Sequence, residues 1–388
     1  MTINVFHIIG YLAPCYGGPP KFALNLGKAM GKYGFDSCWW ATANAEEKKE
    51  LTYLGKKTFL FSSRYPRSWY RSPELGRELR EQIQGADILH LHQIWDYPLW
   101  IAAKIARRAG KPYIVSTHGI FGQNRRYEGL KKRIYLKLLA RFILKNASAI
   151  HTMNIHEVNG LKKLGIHTPC VLIQNGIDMN EFQTMPTPDV AERTWSILKG
   201  KKVVLFLSRI SPEKGLDVLI QSWKHVIAEQ PDALLVVAGP DIKGYLNNVR
   251  KMVHSSGLKD SVMFSGFIQG DMKKALLNRA NMFVLPSYSE GCSTVLLEAL
   301  STGKPCVVTT GCNLPEVQEA GAGFVVPNGD QYALYCSMLN ILALSDLKRK
   351  EMGDCGRKIV SNSHTMDIVA EKMATVYRRI LDKNRIVQ

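Results

Sequence analysis

The sequence predicts an α/β protein made of two doubly wound parallel sheets, each Rossmann-like, that face a central cleft. Three observations predict this class. Short apolar runs alternate with longer amphipathic stretches along almost all of the 388 residues. Strands roughly thirty residues apart with helices between them indicate βαβ units. The pattern stops once, in a polar stretch, and then begins again, so two halves of similar length are predicted.

The first half contains six short apolar runs that predict parallel strands. A predicted helix at residues 20–33 follows the first run, and helical patterns separate the others. The predicted strands lie at residues 2–9, 36–43, 86–92, 113–117, 149–152 and 170–173. Because ligands of open parallel sheets bind beyond the carboxyl ends of the strands, candidate functional residues are expected at those ends.

The second half repeats the pattern after a polar stretch at residues 179–200. That stretch contains Pro186 and Pro188 and is interpreted as a linker. The strands predicted after it lie at residues 202–208, 234–239, 262–266, 282–286 and 305–309.

Composition narrows the class of protein further. A hydrophobic content of 46% with 22% charged residues is typical of a folded globular chain. No apolar run approaches the roughly 18–20 residues of a membrane-spanning helix, and the amino terminus lacks the basic region of a signal peptide. The eight cysteines form no Cys-x-x-Cys pair. A cytoplasmic protein with reduced thiols is therefore expected.

The net charge of +18 is concentrated in one part of the chain. Residues 101–150 hold twelve Lys or Arg and one acidic residue. Such a segment attracts an anionic partner, which could be membrane lipid, a phosphorylated acceptor or nucleic acid. No aromatic residues are interleaved as they are where bases stack, so nucleic acid is not an expected partner.

Residues 125–145 within this segment predict an amphipathic basic helix. Its apolar residues, spaced by four, are Leu130, Ile134, Leu138 and Phe142. One interpretation places the helix on an anionic membrane surface near a lipid-linked acceptor. The other packs the apolar residues on the sheet and leaves the cations solvated. The sequence leaves both open.

The strongest local motif, residues 286–291, follows the predicted strand at 282–286. Glu290 lies in a loop beyond that strand, and Glu298 lies eight residues later in the next predicted helix. Two carboxylates so placed could accept hydrogen bonds from ligand hydroxyls, and a helix amino terminus with small residues suits a diphosphate. The alternative is a capped helix with incidental acids. The helix is predicted to begin at Cys292, and the candidate binding residues at its start are Gly291, Cys292, Ser293 and Thr294.

A pair of cations lies at another junction between strand and helix. Arg209 follows the strand at 202–208, and Lys214 lies close to the next helix. A guanidinium fork and an ammonium group together suit a pyrophosphate. The alternative is a surface loop with ordinary charges.

Two features at strand ends of the first half are further candidates. Gly17 and Gly18 precede the first helix and allow a backbone to approach a ligand closely; a plain tight turn is the alternative. His118 follows the strand at 113–117, where an imidazole could bind a sugar hydroxyl or a developing charge, although a lone histidine is usually structural.

Several motifs of other enzyme classes are absent from the sequence. There is no Asp-x-Asp pair, so metal-independent chemistry is expected, with no metal-binding residues. There is also no G-x-G-x-x-G fingerprint, Walker A loop or G-x-S-x-G elbow, so nicotinamide, P-loop and hydrolase interpretations are unsupported.

Taken together and in order, the motifs resemble glycosyltransferase family 4, the retaining GT-B enzymes. The motifs that carry the resemblance are Gly17-Gly18, Thr117-His118-Gly119, Asn175-Gly176-Ile177-Asp178, Arg209 with Lys214-Gly215, and Glu290 with Glu298. The resemblance implies an acceptor-side domain at residues 1–180, a linker at 181–200 and a nucleotide-sugar domain at 201–366. It also implies that a last helix, at 367–388, crosses back to the first domain. One departure is the loop at residues 311–316, which lacks the usual Gly-Gly pair.

The resemblance further implies the roles of individual residues. Arg209 and Lys214 would hold the diphosphate, Glu290 the donor sugar and Glu298 the ribose. His118 would lie beside the transferred sugar, and Gly18 would let the first domain close on the diphosphate. A UDP- or GDP-sugar would be the co-substrate, no cofactor would be required, and the acceptor would be a glycan or a lipid-linked molecule. The alternatives are a non-hydrolysing nucleotide-sugar epimerase and a non-catalytic nucleotide-sugar binding protein.

Overall fold

The computed structural model describes residues 2–13, 17–64, 69–122, 130–241 and 244–386. The chain divides into two compact units. The first unit comprises Met1–Gly176 together with Met366–Gln388, and the second comprises Ile177–Thr365. Each unit is built around its own parallel sheet.

The first unit contains a seven-stranded parallel sheet in the order β3-β2-β1-β4-β5-β6-β7. Its central strands are buried on both faces, as parallel sheets covered by helices are. The strands are β1 (Ile3–Tyr11), β2 (Phe35–Thr42), β3 (Thr58–Phe61), β4 (Ile88–His92), β5 (Tyr113–Ser116), β6 (Ala149–Thr152) and β7 (Cys170–Leu172). The helices are α1 (Gly18–Met30), α2 (Ala45–Glu50), α3 (Pro73–Gln82), α4 (Tyr97–Arg108), α5 (Leu130–Tyr135), α6 (Arg141–Lys145) and α7 (Ile155–Lys163).

The second unit contains a six-stranded parallel sheet in the order β10-β9-β8-β11-β12-β13. Its strands are β8 (Lys202–Leu207), β9 (Ala233–Ala238), β10 (Val262–Gly266), β11 (Met282–Leu285), β12 (Cys306–Thr309) and β13 (Gly323–Val326). Its helices are α8 (Pro188–Thr194), α9 (Leu216–Glu229), α10 (Tyr245–Ser255), α11 (Gly270–Arg279), α12 (Thr294–Ser301), α13 (Glu316–Glu319), α14 (Gln331–Leu342) and α15 (Asp346–Ser363).

The predicted fold class, two Rossmann-like parallel sheets, is confirmed by these topologies. Both sheets reverse direction next to their first strand, which is the switch point typical of doubly wound folds. Sequence analysis did not identify β3 and β13. Each has only four residues and lies at the edge of its sheet, where partial exposure weakens the apolar signal.

The polar segment interpreted as a linker is built into the second unit. The boundary between the units falls at Gly176, and residues 181–200 contain α8 and short 3-10 turns. The Nε of Arg279 donates to Glu192 at 2.5 Å, and one Nη donates to the carbonyl of Lys201 at 2.9 Å. The Nδ2 of Asn278 donates to the carbonyl of Pro186 at 2.9 Å. The prolines and polar residues of this segment indicated a linker. Composition alone does not reveal the hydrogen bonds that attach the segment to the second unit.

The last helix, α16 (Met366–Ile386), belongs to the first unit. Its apolar face packs in one core cluster with Val5, Phe35 and Ile114. The hydroxyl of Tyr377 lies 2.6 Å from Nδ1 of the buried His90. Among the described residues, none of the helices is both long and apolar enough to cross a bilayer.

The basic segment is not one regular helix. Residues 125–129 lie outside the described residues, and the rest forms α5, a π-helical turn at Leu136–Ala140, and α6. Because a π turn adds a residue, it shifts the buried face. Ala140, Ile143 and Leu144 are therefore buried. Ile134 and Leu138, which the spacing of four grouped with Phe142, are 49% and 62% exposed. The interpretation that all of these apolar residues pack on the sheet is wrong for this pair.

Candidate active site

A buried ion pair lies at the carboxyl end of the second sheet. The Nζ of Lys214 lies 2.6 Å from Oε1 of Glu290, and the hydroxyl of Ser287 donates to the same oxygen at 2.7 Å. All three residues are buried. Since a buried charge is tolerated only when it is paired and hydrogen-bonded, each partner fixes the position of the other.

Backbone packing brings the two loops of this pair together. Gly215, at φ 70°, begins α9 directly after Lys214, and a Cβ at this position would lie 2.0 Å from the carbonyl oxygen of Pro286. The amide of Tyr288 also donates to the carbonyl of Glu213 at 2.9 Å. Only glycine permits this approach and this backbone conformation. The Lys-Gly step therefore places the ammonium group against the loop that carries Glu290.

Arg209 lies at the same strand end but in a different environment. One of its Nη atoms lies 3.8 Å from Glu213, and both side chains are more than 40% exposed. A surface pair of this kind holds its partners only weakly. The guanidinium therefore remains available to an anion from solvent.

Glu298 forms a second buried ion pair. Its two carboxylate oxygens each lie 2.9 Å from Nζ of Lys273 on α11, and Glu298 itself is 1% exposed. The helix that carries it begins at Thr294 and is capped by Ser293, whose hydroxyl accepts from the amide of Leu296. The prediction that this helix includes Cys292 is therefore wrong by two residues. The helix is thus capped, as the alternative interpretation expects, and both glutamates are ion-paired with lysines.

The loop that departs from the expected pattern supports the Glu290 loop. The amide of Glu290 donates to the carbonyl of Gly311 at 2.8 Å, and the side chain of Asn313 donates to the carbonyl of Glu290 at 2.7 Å. A Cβ at Gly311 would lie 2.3 Å from the carbonyl oxygen of Ser287. The loop thus retains a close backbone contact although it lacks a Gly-Gly pair.

The paired glycines of the first unit lie at the start of α1. Gly17 has φ 91°, a conformation that glycine adopts readily, and Gly18 is the first helical residue. Among the described residues, no atom other than those of its chain neighbours lies within 4 Å of a Cβ built on Gly17. Glycine is therefore favoured here by its backbone conformation and not by close packing against the described residues.

His118 lies just beyond β5 in a strained conformation. Its φ of +51° is uncommon for a residue other than glycine, and such strain is often found at functional sites. The loop is held by Glu157, which accepts from the hydroxyl of Thr117 at 2.6 Å and from the amide of Met153 at 2.8 Å. The amides of Gly119 and Phe121 also hydrogen-bond to this carboxylate, whose pKa burial raises.

His118 is one of five histidines packed together at the first sheet. The others are His7, His90, His92 and His151, all fully buried. Burial lowers the pKa of His7 and of His118 to about 3 and that of His151 to about 4, so these rings are neutral. The ring nitrogens of His7, His90 and His92 approach one another within 4.8 Å, and all six of them take part in hydrogen bonds. This arrangement is a hydrogen-bonded network of imidazoles.

Two family models match the chain, one on each half. The model "Glycosyltransferase Family 4" matches residues 16–181, and the model "Glycosyl transferases group 1" matches residues 190–359. "Spore coat protein SA" of Bacillus subtilis is 32% identical over 194 residues. That match covers 48% of this chain and 50% of that protein, so it spans about half of each.

Two further similarities extend over most of the chain. The "GDP-mannose:cellobiosyl-diphosphopolyprenol alpha-mannosyltransferase" of Xanthomonas oryzae pv. oryzae is 23% identical over 359 residues, 88% of each chain. The solved structure of Anabaena HepE in complex with UDP and glucose has a TM-score of 0.80 at 18% identity. It covers 97% of this chain and all of that chain.

The fold and these similarities together define a GT-B glycosyltransferase. The chain belongs to the family 4 type of this class, whose two family models together account for most of its length. It is therefore an enzyme of glycosyl transfer with a nucleotide sugar as co-substrate.

Sequence reasoning did not identify several residues that shape the site. Ser287 and Lys273 bind the two glutamates, Asn313 holds the Glu290 loop, and Glu157 holds the His118 loop. Ser287 lies inside the motif that was identified. The other three lie 23 to 40 residues from their partners along the chain, at spacings with no local signal.

Proposed function

We propose that the chain transfers a glycosyl residue from a UDP- or GDP-sugar to a glycan or lipid-linked acceptor, with retention of configuration and without a metal ion. The product would serve polysaccharide or glycoconjugate biosynthesis. Support for the donor class comes from the printed names, since the Xanthomonas relative uses GDP-mannose and the Anabaena neighbour holds UDP. Support for retention comes from the resemblance of the motifs.

The observation that carries the proposal is the buried Lys214–Glu290 pair beside the exposed Arg209. In glycosyl transfer, a diphosphate departs from an electron-poor sugar. Lys214 is held in place before the donor arrives, and Arg209 is available from solvent. Preorganised cations stabilise the departing charge without reorganisation in the transition state. The two groups can therefore supply the positive charge that a metal ion supplies in metal-dependent enzymes.

The carboxylates fit the other parts of a donor. We assign Glu290 to hydroxyls of the sugar and Glu298 to hydroxyls of the ribose. Lys273 contacts both oxygens of Glu298 and so fixes the position of this carboxylate. The amino-terminal region of α12, with Gly291, Cys292, Ser293 and Thr294, is assigned to the diphosphate.

The first unit contributes the remaining assignments. We assign His118 to the transferred sugar, and Gly17 and Gly18 to close approach of the backbone to the donor. The support for His118 is its strained backbone, which Glu157 holds in place. The support for Gly17 is its backbone conformation and, among the described residues, the open space beside it.

A panel of nucleotide sugars, incubated with and without lipid extract and glycans, tests the proposed function. We expect one UDP- or GDP-sugar to be consumed only with an acceptor, in the presence of EDTA, and to give a product whose anomeric configuration equals that of the donor. Mass spectrometry and NMR of the product provide the measurement. Consumption without an acceptor would indicate an epimerase, binding without turnover would indicate a non-catalytic protein, and an inverted product would refute retention.

We also propose that the basic segment contacts an anionic membrane surface, at the inner face of the membrane in a cytoplasmic location. Ile134 and Leu138 are exposed among the exposed cations Arg133, Lys137 and Arg141. Beside them lies a surface cavity of about 510 Å³. It is lined by the same three cations and by Leu136, Leu144, Leu164 and Ile166. Apolar side chains ringed by cations are typical of an interfacial surface, where each cation contributes about 1 kcal/mol next to anionic lipid.

Liposome flotation tests this contact. We expect the protein to float with vesicles that contain phosphatidylglycerol at low salt, to bind less at high salt, and to remain unbound with phosphatidylcholine alone. The double substitution Ile134→Ser and Leu138→Ser is expected to weaken flotation at least tenfold, because the inserted apolar area is lost. The control is Leu347→Ser on α15, a leucine that is 67% exposed in the other unit. Flotation unchanged by the double substitution, or no binding at low salt, would refute the contact.

A further inference from the structure

The buried histidines of the first unit form two separate chains of hydrogen bonds. The first chain, here the Ser37 chain, runs from Ser37 Oγ to His7 Nε2 (3.3 Å), from His7 Nδ1 to His92 Nε2 (3.0 Å), and from His92 Nδ1 to His118 Nε2 (3.2 Å). It is the chain that reaches the candidate site residue His118.

The second chain, here the Tyr377 chain, runs beside the first. Tyr377 OH lies 2.6 Å from His90 Nδ1, and Ser116 Oγ lies 2.6 Å from both His90 Nε2 and His151 Nδ1. The chain ends where His151 Nε2 lies 2.7 Å from the carbonyl oxygen of Ile173. His90 and His92 stack with their ring centroids 4.2 Å apart, yet they belong to different chains.

The protons of the Tyr377 chain are fixed by its last acceptor. A backbone carbonyl only accepts, so His151 donates through Nε2 and, being neutral, accepts at Nδ1 from the hydroxyl of Ser116. The oxygen of Ser116 then accepts from His90 Nε2–H, and His90 Nδ1 accepts from the hydroxyl of Tyr377. Each member of this chain donates once, in one direction.

The direction of the Ser37 chain follows from the serine at its end. Ser37 is 5% exposed, and within the described residues the hydrogen-bond partner of its Oγ is His7 Nε2. If the hydroxyl accepted from His7, its own proton would be buried without an acceptor, at a cost of about 1–3 kcal/mol. If it donates to His7 Nε2, no proton is unsatisfied. Ser37 is therefore the donor.

That direction determines which nitrogen of His118 carries its proton. His7 donates through Nδ1 to His92 Nε2, and His92 donates through Nδ1 to His118 Nε2. The proton of the neutral His118 then lies on Nδ1. No hydrogen bond to this atom is found within the described part of the chain, and the His118 side chain is partly exposed.

We infer that Ser37, His7 and His92 are positioning residues that hold His118 as a neutral hydrogen-bond donor through Nδ1–H. The inference rests on the proposed function, in which His118 contacts the transferred sugar. The group it recognises is an oxygen lone pair, of a sugar hydroxyl or a phosphate. In this form, Nδ1 has no lone pair with which to take a proton, so His118 is not the general base of the reaction.

His118 is expected to adopt an unusual tautomer, which NMR spectroscopy can detect without an activity assay. A histidine side chain free in water favours the Nε2–H form, whereas the Ser37 chain imposes Nδ1–H on His118. In protein labelled with ¹⁵N-histidine, long-range ¹H–¹⁵N correlation is expected to show His118 protonated at Nδ1, with the His118→Gln protein identifying its signals. A wild-type spectrum with His118 protonated at Nε2 would overturn the inference.

Two serines provide a matched pair of variants. Ser37→Ala removes the donor that directs the first chain, and we expect both tautomers of His118 to be populated. Ser116→Ala is a similar deletion in the Tyr377 chain, and we expect His118 to retain Nδ1–H. A single Nδ1–H form in the Ser37→Ala protein, or loss of that form in the Ser116→Ala protein alone, would contradict the assigned direction.

Substitution of His92 tests whether the tautomer of His118 affects turnover. In His92→Gln, the amide can accept from His7 and donate to His118, so we expect Nδ1–H to persist and kcat to stay within about threefold of wild type. His92→Leu breaks the link, and we expect a shift to Nε2–H and a drop in kcat of about tenfold, the effect of one hydrogen bond, with little change in KM for the donor. An equal loss in both variants, with the tautomer unchanged, would overturn the positioning role.

Failure of the proposed function is distinguishable from failure of this inference. If His118→Gln leaves turnover unchanged while the wild-type spectrum shows Nδ1–H, the assignment of His118 to the sugar is wrong and the direction of the chain is right. If His118→Gln lowers kcat while the wild-type spectrum shows Nε2–H, the assignment of His118 to the sugar is right and the direction of the chain is wrong.

Discussion

Replacing Lys214 with methionine is expected to lower kcat/KM about 100- to 1,000-fold and to destabilise the second unit at the same time. The activity is lost because the departing diphosphate loses a preorganised cation. The stability is lost because Glu290, buried and 2.6 Å from the ammonium group, would lose the cation that compensates its buried carboxylate. Removing one member of a buried pair typically costs about 3–5 kcal/mol.

A second substitution separates the two effects. In the double variant Lys214→Met and Glu290→Gln, no buried charge is left uncompensated, and the new amide can still accept from Ser287. We expect the free energy of unfolding to recover most of its loss while kcat/KM remains low. Denaturant titration and initial rates provide the two measurements.

Arg209→Gln is the matched control on the same strand end. Because the side chain is 42% exposed and its ion-pair partner among the described residues is an exposed glutamate, its loss is expected to change the free energy of unfolding by less than about 1 kcal/mol. If Arg209 contacts the diphosphate, kcat/KM nevertheless falls at least tenfold. A fully active Lys214→Met enzyme would remove the diphosphate assignment, and recovery of activity in the double variant would show that the first loss was one of folding.

Acidification is expected to unfold the first unit between about pH 4 and pH 5, before the second. His7, His118 and His151 have pKa values lowered from 6.5 to about 3, 3 and 4, because burial disfavours the charged ring. Between pH 4 and 6.5, the unfolded chain binds a proton at each histidine and the folded unit does not. Stability therefore falls as the pH falls, by about 1.4 kcal/mol per pH unit for each ring.

Buried acids oppose this trend, and burial raises the pKa of both Asp96 and Glu157. Burial raises the pKa of Asp96 to about 7, against 3.8 in the unfolded chain, so the folded unit holds a proton there that the unfolded chain lacks. The contribution of Asp96 to the pH dependence of stability therefore has the opposite sign to that of the histidines in the same pH window. Three histidines outweigh one aspartate by about 3 kcal/mol per pH unit, and a total stability of about 5–15 kcal/mol is consumed within a few units. His90 and His92, whose pKa values burial also lowers, add to the slope.

Far-ultraviolet circular dichroism and tryptophan fluorescence between pH 7 and pH 3 measure this transition. His7→Phe removes one titrating ring and is expected to reduce the slope of stability against pH by about 1.4 kcal/mol per unit. The control is His254→Gln, which changes an exposed histidine on α10 of the second unit. A first unit that remains folded at pH 3.5, or an identical slope in His7→Phe, would contradict the burial of these rings as neutral groups.

The sequence by itself determined the fold class and most of the strand positions. Alternating apolar and amphipathic segments are local properties, so the strands β6 and β10 were predicted with the bounds that the structure has. The candidate residues at strand ends could be found for the same reason, because parallel strands bring their carboxyl ends to one edge. The limits of α12 and the irregular basic segment were missed, since a cap and a π turn shift boundaries without changing composition.

Only the tertiary structure decided which partner each functional group has. Lys214 and Glu290 are separated by 76 residues, and His7 and His92 by 85, so no periodicity connects them. Hydrogen bonds and ion pairs between distant segments depend on where a backbone such as Gly215 lets two loops approach within contact distance. The same dependence on position governs the imidazole protons, because a hydrogen-bond direction is set by the last donor or acceptor of a chain that the fold assembles.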